Sequence, residues 1–419
     1  MTGLLRPITA LLLSAAILLM GHGLLGVLNP IRADGEHFTG LQIGIMGSCH
    51  YAGLMLGCFA WPRFIAGVGH VRTFSALTAM ATITPLVQSV WPEPWTWWAM
   101  RALNGLCFAG LLMVIESWLN ASSTIETRGR ILAAYTIINL TVVTAGMQLT
   151  AIGNPYSFEL FTLVAILYSL AAVPVALAPT TAPPAPRTAK LRIGWLFSVS
   201  PAAVLGAFFT GVANSAFWTL SPLYAKGAGF AVSDIPWFLT TAALGGAAAQ
   251  WPVGHLSDKI GRRRLAIVCA ALASAAGIAL FTASHMGIAT ILALSAVYGA
   301  CAFPIYTLCV AHANDLVLRK RAVEVSSGLL MIFSLGAVVG PLLASLFMRH
   351  AGYGALFLHS AVAHITIAGI MLLRSSQRPT VPAERSEPFV PVPKTTPAVF
   401  DLDPRAEPGS RDEAGAAAK

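Results

Sequence analysis

The sequence predicts an all-α polytopic membrane protein with about 12 transmembrane helices, arranged as two pseudo-symmetric six-helix bundles. Three observations predict it. The chain is starved of charge, it holds about a dozen apolar runs of helix length, and its basic residues collect in alternate connections.

Of 419 residues, 56% are apolar and 10% are charged, with a mean hydropathy of +0.72. A soluble domain carries roughly 25% charged residues. A chain this poor in charge cannot face water on all sides and must face something apolar. The bilayer core takes roughly 20 apolar residues per helix. Such runs lie at about 8–29, 39–61, 73–91, 97–119, 129–151, 157–178, 199–223, 234–256, 265–284, 287–311, 324–347 and 354–373. A transmembrane barrel would instead show alternating strands of about ten residues. The first run follows Arg6 and begins like a secretory signal. It continues through GHGLLGVLN with no small-residue cleavage site, so a retained span is expected.

Connections after even-numbered spans hold Arg63 and Arg72, Arg128 and Arg130, Arg187, Lys190 and Arg192, Lys259 and Arg262 to Arg264, and Arg319 to Arg321. Connections after odd-numbered spans hold only Arg32, Lys226 and Arg349. Fourteen against three predicts an even number of spans with both termini in the cytoplasm, and a place in a bacterial inner membrane. The +9 net charge is therefore read as topology. No basic soluble face is left for nucleic acid. All six cysteines fall inside spans without a CxxC pair, and read as packing residues.

Two longer segments lie outside the spans. Residues 179–198 open with PTTAPPAPRTAKLRI, proline-rich and basic, and read as an extended cytoplasmic linker. It divides a bundle at 1–178 from a second at 199–374. Residues 375–419 have eight prolines and few aromatics, and read as a disordered tail, dispensable or regulatory. A repeat supports the two halves: GHLSDKIGRRR (Gly254 to Arg264) is echoed by FIAGVGHVR (Phe64 to Arg72) at an offset of 192 residues. Carriers built from two such halves commonly bind solute between them near the midplane.

The stretch GHLSDKIGRRR resembles the loop signature of the major facilitator superfamily, Gly-x-x-x-Asp-[Arg/Lys]-x-Gly-Arg-[Arg/Lys], at every defined position. RALNG (Arg101 to Gly105) is similar to the family's Arg-x-x-Gln-Gly motif, with Asn104 in place of Gln. GIMGSCHYAGLMLG, ESWLNASSTIETRGRILAAY and AHAND ahead of GAVVGPLLAS resemble its YcaD-type permease branch. The resemblance covers residues 5 to 374. It departs in the first-half loop, where Trp61, Pro62, Arg63 and Ala66 offer no acid and no symmetric second clasp.

Gly254, Asp258, Lys259, Gly261, Arg262 and Arg263 are candidates for a gating loop. Asp258 can cap a neighbouring helix or pair with the Arg262 fork, and Gly261 permits the tight turn. The plainer reading is a positive-inside anchor. Intramembrane ionisable groups are the next candidates, because each is costly in lipid. Of ten acids before the tail, only Glu116 lies well inside a span. It suits proton coupling, or a structural pair with Arg128 or Arg130. Arg101 is the only base clearly inside a span, and binds an anion, tunes a carboxyl, or snorkels outward. With Asn104 and Gly105, these two are the coupling candidates.

No histidine shows metal-ligand spacing, so neither a metal nor a cofactor is expected. In the resembled family, early spans face the cavity and spans 1, 4, 7 and 10 line the path. That implies His22, His50, Asn104, Asn214, Trp218 and Tyr298 as cavity candidates. The alternative for each is an ordinary interhelical hydrogen bond.

The expected function is a secondary active transporter of a small organic solute working by alternating access, with protons as coupling ion. The expected partners are the solute, protons and the bilayer, with the chain acting as a monomer. No phosphate loop points to ATP. A transporter-like solute sensor and a membrane-embedded enzyme are the alternatives.

Overall fold

The structure is a computed structural model that describes residues 2–177, 192–283, 286–318, 321–375, 390 and 393–403. Among these residues every regular element is a helix: α1 (Thr2–Gly35), α2 (Gly40–Val68), α3 (His70–Val90), α4 (Pro94–Ala121), α5 (Ile125–Gln148), α6 (Glu159–Leu170), α7 (Ala172–Ala176), α8 (Ile193–Val199), α9 (Pro201–Gly227), α10 (Ile235–Ile260), α11 (Arg262–Thr282), α12 (Ile288–Ala302), α13 (Ile305–Asn314), α14 (Ala322–Ala351) and α15 (Ala355–Ser375), with two short 3₁₀ turns.

Twelve long segments result, counting α6 with α7 and α12 with α13 as single spans. Ten are long and apolar enough to cross a bilayer. The other two, α3 and α10, have the length but dilute their apolar runs with His70, Arg72 and Gln88, and with Gln250, His255, Asp258 and Lys259. Large apolar side chains point outward all round the bundle, among them Leu56 (59% exposed), Ile83, Trp251 (77%) and Leu372. A surface of that kind belongs in lipid.

Local chemistry sets the helix starts. Thr39 and Gln42 form a reciprocal capping box before α2. Pro94 and Pro201 occupy first-turn positions, where no backbone donor is missed. Ser200 caps α9 through the Ala203 amide at 3.2 Å. Gly69 and Gly261, which are 192 positions apart, join α2 to α3 and α10 to α11 at φ values of 92° and 93°. That left-handed turn favours glycine, and finding it at the repeat offset ties the two halves together in backbone geometry.

The halves meet at the end of the bundle away from the basic loops. There α2 packs on α14, with Gly44 against the Pro341 carbonyl and Ser345. Gly47 meets Thr219, and Gln148 donates to Thr240 at 2.9 Å. Lys226 pairs with Asp34 at 2.5 Å, across the halves and again 192 positions apart.

Two segments depart from the sequence expectation. The expected extended linker 179–198 ends in a helix instead: residues 193–198 belong to α8, whose Leu196 packs on Gly328. Arg192 there lies 3.8 Å from Glu324. The rest of the linker, including Arg187 and Lys190, lies outside the described residues. Within the expected disordered tail 375–419, residues 393–403 are packed into the bundle, with Val399, Phe400 and Leu402 at most 2% exposed. Composition is averaged over 45 residues and hides this cluster; the remainder of the tail is outside the described residues, Val390 excepted.

Candidate functional site

A cavity of about 460 Å³ lies between the halves. From the first half, α1 contributes His22 and Asn29, α2 contributes His50 and Tyr51, α4 contributes Arg101, and α5 contributes Asn139. From the second, α9 contributes Asn214 and Trp218, α10 contributes Gln250, and Phe303 and Phe333 close the wall. The chemistry is divided. The first-half wall carries the buried Arg101 and several neutral polar groups among apolar side chains, with the His22 and His50 rings 5.6 Å apart. The second-half wall adds Trp218, Phe303 and Phe333, with Trp218 stacked on Phe303 at 5.4 Å, beside Asn214 and Gln250.

Arg101 is 8% exposed and faces this space. Its Nη1 donates to Asn104 Oδ1 at 3.4 Å, and Asn104 Nδ2 donates to Thr84 at 3.2 Å. No carboxylate among the described residues pairs with it, and its Nε has no hydrogen-bond partner there. A buried guanidinium without a counter-ion is costly, and aimed at a cavity it is a ready site for an anionic group. Asn104 is fully buried behind Arg101 rather than in the wall, and orients the guanidinium. Gly105 serves packing. A Cβ there would stand 2.0 Å from the His50 carbonyl oxygen, so the residue sets the α2–α4 approach.

Glu116 is fully buried on α4, near the basic-loop end. Its Oε1 accepts from the Tyr135 hydroxyl at 3.0 Å, and its Oε2 accepts from the Thr396 hydroxyl of the tail. Fifteen residues along α4 separate it from Arg101, about 22 Å at 1.5 Å per residue. The two therefore act at different depths.

Of the cavity candidates, His22, His50, Asn214 and Trp218 line the space. Tyr298 does not. It is 0% exposed inside an aromatic cluster, stacked with Phe217 at 5.5 Å and hydrogen-bonded to Ser360 at 2.5 Å. Its place in span 10 gives no sign of which face it occupies, and α12 turns that face into its own bundle.

The loop signature folds into a clasp inside the second half. Arg262 Nε bonds Asp315 at 2.5 Å, at the end of α13, and Nη2 lies 3.3 Å from Asp258. Arg263 donates to the Arg374 carbonyl at 3.2 Å, Gly254 is buried in α10, and Lys259 is exposed. These contacts tie α10, α11, α13 and α15 together. None of them reaches the first half.

Sequence reasoning missed Asp315, Tyr135 and the tail segment. Asp315 stands inside the AHAND stretch, where its charge marked a span end but no partner. The tail enters the cavity with Pro393, Lys394 and Thr395 on its wall. Lys394 Nζ donates to the Phe303 carbonyl at 3.2 Å, where span 10 breaks between α12 and α13 at Pro304. It lies 5.3 Å and 5.4 Å from the ring centres of Tyr306 and Phe333, a cation–π arrangement. Burial pulls its pKa down to about 8.

The comparisons agree with this architecture. The model of the Major Facilitator Superfamily matches residues 11–233 and again 203–404, one match for each half. The MFS-type transporter YcaD of Escherichia fergusonii is 25% identical over 380 residues, covering 90% of this chain and 98% of that one. The MFS-type transporter YE1530 of Yersinia enterocolitica is 24% identical, covering 92% and 99%. Among solved structures, the nucleoside transporter NupG superposes with a TM-score of 0.75 at 13% identity, over 88% of this chain and 98% of that one. A bacterial homolog of the human lysosomal transporter Spinster, inward-facing and occupied, gives 0.72 at 15% identity, over 91% and 97%. Signature loop, two matched halves and full-length relatives converge: the chain is a multi-pass membrane transporter of the major facilitator superfamily.

Proposed function

We propose that this transporter is a secondary carrier for a small organic solute with an anionic group, working by alternating access and coupled to protons. One observation carries the reading. A cavity built from both halves holds a buried guanidinium with no carboxylate partner among the described residues, facing an aromatic wall. Arg101 with His22 and His50 suits the anionic end of a solute, and Trp218 with Phe303 suits its apolar or ring portion. Asn214 adds a polar contact.

Glu116 is the coupling group in this reading. It is a buried carboxyl whose hydrogen bonds come from the Tyr135 and Thr396 hydroxyls, so it can take up and release a proton without breaking an ion pair. The charge bias of the loops supports cytoplasmic termini in an inner membrane, and in that orientation Glu116 is on the cytoplasmic side. The Asp258–Arg262–Asp315 clasp then lies on that side as well, as a staple of the second bundle. The carrier acts as a monomer, since each chain supplies both halves of the cavity.

The test starts from a thermal-shift panel of carboxylates, phosphates and ring-bearing solutes, with nucleosides included because NupG transports them. A stabilising solute is then offered to proteoliposomes. Accumulation against its gradient that needs a pH difference and collapses with a protonophore is the expected result. Binding without flux would identify a solute sensor instead.

A further inference from the structure

The tail segment that composition assigns to disorder sits in the cavity between the halves and beside Glu116. Residues 393–395 line the cavity, and the 3₁₀ turn Pro397–Leu402 packs against α4, α5 and α14 at the basic-loop end. We propose that residues 393–402 form a built-in plug, which closes the cytoplasmic mouth of the resting carrier and must leave before a solute can enter or exit on that side.

Four features support a specific seat. Val399, Phe400 and Leu402 are a compact apolar group near the middle of the tail, and all are buried. Thr396 serves twice: its hydroxyl donates to Glu116 and also accepts from the Ala398 amide, starting the turn. The Lys394 ammonium is held by a carbonyl at a helix break and by two ring faces. Prolines at 393 and 397 narrow the free segment's conformations, so seating it costs less entropy.

The seat is also one the segment can leave. Its seat is non-covalent, and the described contacts include hydrogen bonds, apolar packing and the Lys394 cation–π pair. The 14 positions between Ser375 and Val390 can reach about 50 Å when extended. Tethered this way, the plug acts at a high local concentration and needs little intrinsic affinity. While seated, it occupies both the path and the coupling carboxylate, since Thr396 donates to an oxygen of Glu116. The closure is autoinhibitory: one movement frees the cavity and the proton site together.

This inference rests on the cavity being the transport path, so its test reads access rather than flux. Asn139 lines the cavity on α5 and serves as a reporter when changed to cysteine in a background lacking the six native cysteines. Labelling by a membrane-impermeant maleimide is followed in inside-out vesicles. The full-length reporter should label slowly. The full-length Val399→Asp/Phe400→Asp variant should label at least tenfold faster. A protease site inserted within 376–389 and cut after folding should raise the rate by a similar factor, which separates plug release from misfolding. Rates within twofold of the intact chain in both cases would overturn the plug. A carrier that fails every uptake assay while its reporter opens on tail release would leave the plug standing and sink the transport reading instead.

Discussion

The two mouths of the cavity are closed by different means. At the end away from the basic loops the halves touch directly, through Gly44 on Pro341 and Ser345, Gly47 on Thr219, Gln148 on Thr240, and Asp34 on Lys226. At the basic end a segment from outside the repeat does the closing, with Thr396 on Glu116 and Phe400 between helices. The first closure follows from pseudo-symmetry: Asp34 and Lys226 occupy equivalent positions, 192 apart, and meet near the axis that relates the halves. The second has no counterpart in the repeat. A closure made by the halves can open only by moving them, whereas one made by a tether can open with the halves at rest.

The difference can be broken from either side. Glu116→Gln should have the largest effect, because it removes the titrating group while keeping the side chain's size and one acceptor oxygen for the Tyr135 or Thr396 hydroxyl. Uphill accumulation should vanish while solute binding by thermal shift persists. If accumulation survives, Glu116 is not the coupling site. Next comes Asp315→Asn, which leaves the buried Arg262 guanidinium short of its shorter ion pair. Breaking a buried pair costs roughly 3–5 kcal/mol, so the melting temperature should fall by several degrees with little change in Asn139→Cys labelling. A large rise in labelling would make the clasp a gate rather than a staple of one half.

Gly105→Val is a third probe, and acts on the first half alone. Its new Cβ would meet the His50 carbonyl at 2.0 Å, so α2 and α4 must separate at a cost of about 1–3 kcal/mol. Thermal stability should drop and solute affinity with it, since His50 and Arg101 stand on those two helices. Unchanged affinity would remove His50 from the site. The smallest effect is expected at the outer pair. Lys226 and Asp34 are partly exposed, at 37% and 22%, and an exposed pair is worth about 1 kcal/mol or less. Asp34→Ala should raise access from the outside only severalfold, and the swap Asp34→Lys with Lys226→Asp should restore it. Loss of function in the swap would point to a direct role for Asp34 beyond closure.

The sequence carried the spans and the repeat because both are written in local pattern. Twenty apolar residues need no partner to be read, and Gly69 and Gly261 show the same backbone turn that their alignment implied. Arg101 stood out because a base inside a span is costly unless it finds a partner or a cavity, whereas His22, His50, Asn214 and Trp218 were placed at the cavity only by the family resemblance. Tyr298 was misplaced because an aromatic residue packs equally well in a core, and one sequence does not say which way α12 faces. Asp315 and Tyr135 were invisible as partners, since their contacts with Arg262 and Glu116 depend on how helices pack. The tail was obscured by averaging: a few apolar residues among prolines and charges do not make a core, but Val399, Phe400 and Leu402 fill a mouth that the bundle supplies.

The central claim is that the cavity opens alternately to the two sides. It is tested most directly by double electron–electron resonance in proteoliposomes, with spin labels on exposed residues flanking each mouth: Ile152 with Ser233 at the outer end, and Ala66 with Lys259 at the inner end. Distances would be recorded with the tail intact and with it cut, across a pH change and with a stabilising solute. A rigid-body rocking of the halves predicts that, once the tail is cut, the outer distance lengthens as the inner one shortens, in linked populations. Two distances that stay fixed under every condition would contradict alternating access.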